Sequence, residues 1–120
     1  MTRRRDERGA VTAELAMGLP LLVAVTIGLV WLLSVGAAQM RVVDAAREAA
    51  RAGARGDDVA AAVSAGQRVA PDGGTVSVTS GEGRVVAEVT SEVEGPGGLF
   101  AFLPSVTVRA EAVALAEETP

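Results

Sequence analysis

The chain contains neither cysteine nor histidine. Their absence removes disulfides, thiol nucleophiles, imidazole bases and the usual zinc ligands together. Lysine is missing too, since all 11 basic residues are arginine, an imbalance that suggests a GC-rich coding bias rather than a function. Aromatic residues are scarce, with one Trp, two Phe and no Tyr, so any core must be built from small aliphatic side chains. The net charge of -4 argues against a general nucleic-acid binder, which would present a basic surface. The glycine-rich stretches follow neither the GxGxxG pattern nor a Walker-type sequence with its lysine, so no phosphate cradle is implied. The acidic residues have no calcium-loop spacing and read as a solubilising surface. We therefore expect no enzymatic activity, no metal and no cofactor.

What the chain does have is one long uncharged run. After Glu14 no ionisable side chain appears until Arg41, and Leu15 to Met40 is mostly Leu, Val, Ala, Ile and Met. A helix rises ~1.5 Å per residue, so the ~20 residues that cross a ~30 Å hydrocarbon layer fit inside this run with a turn to spare. A buried core helix would need a domain large enough to surround it, and too little chain remains downstream for that. With 120 residues there is room for a membrane helix and one small domain. Inside the run, Pro20 cannot donate a backbone hydrogen bond, which predicts a kink or loosened turn. Ala24 and Gly28 have the small-xxx-small spacing that lets helices approach closely. Trp31 suits either the outer interface or simple packing.

Residues 1–9, MTRRRDERG, are too short and polar to fold, and Arg3, Arg4, Arg5 and Arg8 ahead of an apolar run form a signal-type leader. Charge does not orient the helix, because Arg41, Arg47, Arg51 and Arg55 beyond it balance the four before it. The paired arginines lack the following patch that a twin-arginine signal would carry. A secretory cut after Ala38, in Val35-Gly36-Ala37-Ala38, is open on residue size, although the apolar region exceeds the usual 7 to 15 residues. An uncleaved anchor is also open.

The first turn of the run is unusual, with a small residue, Gly9, closing the basic cluster and a lone acid, Glu14, inside the apolar edge. Gly9, four residues, Glu14 and a long apolar helix resemble the type III signal of type IV prepilins. The continuation Glu14-Leu15-Ala16-Met17-Gly18-Leu19-Pro20-Leu21-Leu22, with Ala45-Ala46-Arg47-Glu48-Ala49-Ala50-Arg51 after the helix, resembles more narrowly the TadE-like minor pilins of tight-adherence pili. The resemblance spans about residues 9–56. It implies cutting between Gly9 and Ala10 by a prepilin peptidase, subunit assembly through Glu14 and Pro20, and a cytoplasmic N-terminus with the C-terminal part external. It also implies partners among other pilin subunits and the assembly platform in the cell membrane, and a place in or in the making of a pilus.

From Arg41 to Arg55 the helix should continue into water. Arg47, Arg51 and Arg55 recur at i+4, and Asp44–Arg47 and Glu48–Arg51 are i+3 pairs. Ala45, Ala46, Ala49, Ala50, Gly53 and Ala54 make an opposite face suited to a closely approaching helix rather than to a deep core. Gly56 should end this helix, and Asp57-Asp58 should cap a second over Val59 to Val69. The period then changes to two. Val76 and Val78, then Val85, Ala87 and Val89, then Val106, Val108, Ala110 and Ala112 mark three strands, with a hairpin at Gly81-Glu82-Gly83 and a break at Gly95-Pro96-Gly97-Gly98.

The expected fold is α+β: a basic leader at 1–9, a transmembrane helix with a soluble extension at 10–56, and an external domain at 57–120 holding a short second helix on a three-stranded antiparallel sheet. A piece from Arg41 onward should be soluble if the alanine face and sheet form one unit. Leu99, Phe100, Phe102 and Leu103, which include both phenylalanines, either fold over the sheet edge or contact another subunit.

Overall fold

The computed structural model describes residues 2–97 and 103–117, with side chains from Arg4 onward. Its elements are α1 (Thr2–Ala54), α2 (Val59–Gln67), β1 (Thr75–Gly81), β2 (Arg84–Val93) and β3 (Val106–Leu115). This is the expected α+β arrangement. The chain divides into two compact units, residues 1–32 and 33–120, and the division falls within α1.

The first unit is helix alone. The leader is not too short to fold: α1 begins at Thr2 and runs unbroken through Gly9. Nucleation is the costly step of helix formation, and a leader joined to a long helix is spared it. The helix also continues through Pro20, the one proline inside it.

In the second unit α1 ends as its glycine dictates. Gly56 adopts φ 98°, a left-handed conformation open to glycine. The Gly56 N–H then donates to the Gly53 carbonyl at 3.1 Å and the Asp57 N–H to the Ala52 carbonyl at 3.2 Å, which is a Schellman closure. One residue later Asp58 caps α2, its Oδ1 accepting the Ala61 N–H at 2.7 Å. The helix ends slightly before the expected Val69. Asp58→Ala should cost about 1 kcal/mol of stability, read as a lower midpoint of thermal unfolding, because it leaves an N-terminal donor without its side-chain partner.

The sheet is an antiparallel meander in the order β1-β2-β3. Gly81 pairs with Arg84, leaving a two-residue loop of Glu82 (φ 53°) and Gly83 (φ 76°). Two positive φ values in such a loop match the right-handed twist of the strands it joins. The register places Val76, Val89 and Ala110 in one row and Val78, Ala87 and Ala112 in the next. These rows form the inner face. Outside, Glu88 pairs with Arg109 at 3.4 Å.

That inner face meets more than the second helix. Val42, Ala45, Ala46, Ala49 and Ala52 of α1 are all fully buried and share one apolar cluster with Ala62 and Ala65 of α2 and Val76, Val85, Ala87 and Val89 of the sheet. The alanine face of α1 is therefore part of the core itself, which corrects the expectation that it suits an approaching helix rather than a deep core. The closely approaching helix is α2. A Cβ on Gly66 would stand 3.0 Å from Ala49 Cβ, 3.0 Å from Val76 Cγ1 and 3.3 Å from the Ala45 carbonyl oxygen. Small side chains let backbones come close, and the core is filled by proximity rather than by bulk.

Two bonds tie α1 to β3 and to the residues just after it. Gln39 Nε2 donates to the Arg109 carbonyl at 3.2 Å, and the Glu117 N–H donates to the Ala54 carbonyl at 2.9 Å. The buried cluster begins at Ala38, with Val35 packed against it. A piece starting at Arg41 would lose both and the Gln39 bond as well. A piece starting at Leu33 keeps them.

Candidate assembly surface

The residues singled out by the sequence lie along α1. Ala10 and Glu14 are one turn apart, i and i+4, so they share a face and are ~6 Å apart along the axis. Gly9, Ala10, Glu14 and Pro20 are all exposed.

Gly9 has no internal reason to be glycine. Nothing lies within 4 Å of where its Cβ would be, and its φ is not positive. Glycine in a helix costs about 1 kcal/mol relative to alanine. The same open space surrounds Gly18, Gly28 and Gly36. Gly53 and Gly66 are the opposite case, because a Cβ on Gly53 would meet Val85 Cγ1 at 2.6 Å. The helix glycines thus fall into two sets: one that the protein's own packing requires, and one that it does not.

The apolar run carries its large side chains on the outside. Met17 is 78% exposed, Leu21 66% and Leu33 73%. An exposed apolar surface of this kind marks an interaction site and is consistent with a membrane anchor. Among the described residues α1 is the one helix long and apolar enough to cross a membrane. Ala24, Gly28, Trp31 and Val35 are half-buried, at spacings of four, three and four residues. Continued at alternating three and four, this spacing reaches the buried Ala38, Val42, Ala45, Ala49 and Ala52. This three-and-four spacing is the heptad-like period of a packed helix face, and it begins at Ala24, since the described residues before it are all exposed.

Of the two expected ion pairs beyond the run, Glu48 and Arg51 approach to 3.6 Å; Asp44 and Arg47 form none among the described residues. Arg55 instead reaches Asp57 at 3.3 Å. Both pairs lie at the surface, with Glu48 half-buried, and contribute little. Leu103 is half-buried, whereas Leu99, Phe100 and Phe102 lie outside the described residues. Sequence reasoning missed the packing roles of Gly53 and Gly66. The only signal for them was glycine placed where a helix former would be better.

Fold and surface together define a protein with a long apolar N-terminal helix, fit to be a membrane anchor, whose second half is a structural part of a small α+β unit. Residues 9–51 match the family model for TadE-like protein, so this part of the chain is TadE-like, and the match associates it with the tight-adherence pilus machinery. It covers the Gly9–Glu14 motif, the apolar run and most of the alanine face, and leaves out α2 and the sheet. No curated protein and no solved structure matches the chain.

Proposed function

We propose that this protein is a minor pilin or pseudopilin of a tight-adherence pilus, working by assembly and not by catalysis. The observation that carries this reading is the exposed α1 surface, with Glu14 at its edge and glycines that the chain's own packing does not use. A prepilin peptidase cuts between Gly9 and Ala10 on the cytoplasmic side. The freed helix stays in the cell membrane with the C-terminal domain external, and packs beside the helices of other pilin subunits on the assembly platform. The family match to residues 9–51 supports this reading.

The test is the N-terminus of the mature protein. It should be Ala10. Replacing Gly9 by a bulky residue such as Leu should leave full-length precursor in the membrane, with trimming reduced at least about tenfold, and normal trimming would remove Gly9 from the mechanism. A mature chain beginning at Gln39 would instead establish an ordinary secretory signal, and one keeping Met1 or Thr2 would establish an uncleaved anchor. The geometry speaks against a cut after Ala38, because it would sever α1 beside the Gln39–Arg109 bond and strip Val35 and Ala38 from the core cluster.

A further inference from the structure

The bond assigned to processing is inside a helix. α1 runs from Thr2 to Ala54, so the Gly9 carbonyl is that of an ordinary helical residue, which accepts the N–H four positions on, from Ala13. Hydrolysis adds water across the Gly9–Ala10 peptide, leaving the Gly9 carboxylate and the Ala10 α-ammonium. The attacking water must reach a carbonyl carbon that the helix shields and whose oxygen is already engaged.

The leader is poorly suited to stay helical. The first turn has no acidic residue. Arg4, Arg5 and Arg8 are exposed, and no ion pair involves them among the described residues. They place positive charge at the end of the helix where the backbone dipole is itself positive. Gly9 then adds the residue that gives up most backbone freedom on becoming helical, at a position with nothing within 4 Å of its missing Cβ.

We propose that α1 unwinds from its N-terminus to about Thr12 before it is cut, and that the arginines and Gly9 keep this opening easy. The inference rests on the processing reading above. The leader is then a conformational gate as well as a charged tag, and the rate of trimming follows the fraction of chains open at Gly9–Ala10.

The test follows full-length chain in membranes holding the processing peptidase, with trimming timed by the shift to the mature chain and opening measured by amide hydrogen exchange over residues 2–12. Ala13→Pro removes the N–H that engages the Gly9 carbonyl and disfavours helix at Thr12, so trimming should accelerate about fivefold or more as exchange rises. Arg4→Glu puts an acid in the first turn and should slow both about threefold. Combining the two should restore a rate at or above wild type. If Ala13→Pro raises exchange while trimming stays the same or slows, the peptidase takes the helix as it is and the proposal falls. If the combined variant stays as slow as Arg4→Glu, the arginine acts by direct recognition and the proposal falls too. A wild-type chain never trimmed at Gly9 would overturn the processing reading itself, a separate failure.

Discussion

Glu14→Ala should insert into the membrane and be trimmed at Gly9 at normal rates, yet its recovery in sheared pili or crosslinked subunit complexes should fall at least about tenfold. Insertion survives because removing an ionisable side chain from the apolar edge eases entry into hydrocarbon. Trimming survives because Glu14 is more than a turn from Gly9. Assembly fails for an electrostatic reason. Cutting frees the Ala10 α-amino group, whose ordinary pKa of ~7.7 to 8.0 leaves it largely cationic near neutral pH. Opposite unit charges at ~4 Å attract by ~1 kcal/mol in water and ~4 kcal/mol at an effective dielectric of ~20, before desolvation is subtracted. Ala10 and Glu14 are about one turn apart on α1, and under the proposed assembly the amine expected to meet Glu14 is that of a neighbouring subunit. An attraction of ~1.4 kcal/mol, which lies within that range, is a tenfold change in association and sets the floor. Wild-type amounts of the variant in pili would show that Glu14 only reaches toward the headgroups.

Gly53→Val should lower the stability of the second unit by about 2 to 3 kcal/mol. The added Cβ alone would fall 2.6 Å from Val85 Cγ1. Val85 has nowhere to move, being 1% exposed in the central strand between Ser80 and Ala114. The response must be a shift of α1 away from the sheet, which loosens the cluster around Ala46 and Ala49. At ~4 to 8 °C per kcal/mol for a domain of this size, the midpoint should drop by ~10 to 20 °C. The measurement is thermal loss of the strand signal in circular dichroism on the full chain in detergent. Gly36→Ala is the control: it has open space around it and should leave that midpoint unchanged or raise it, since alanine favours the helix by up to ~1 kcal/mol. Equal midpoints for Gly53→Val and wild type would mean that α1 and β2 are not held at the spacing described.

The sequence by itself determined the elements of this protein and the place of its anchor. The uncharged run from Leu15 to Met40 can only be a long apolar helix, and Gly56, Asp58 and the Glu82-Gly83 turn act through their own backbone geometry and nearest neighbours. The strand rows were legible because inward residues alternate with a period of two. Gly9 and Glu14 stand out in the sequence for a related reason, as two residues out of character with the helix around them. Only the tertiary structure decided what the alanine face does. Helical period shows that Ala45, Ala46 and Ala49 share a side, but not whether lipid, a partner helix or the chain's own sheet lies against it. Small side chains are compatible with all three. The answer depends on how closely α2 and β2 approach, set by Gly66 against Ala49 and by Gly53 against Val85. Those contacts join residues 17 and 32 positions apart, and spacing along the chain says nothing of such distances.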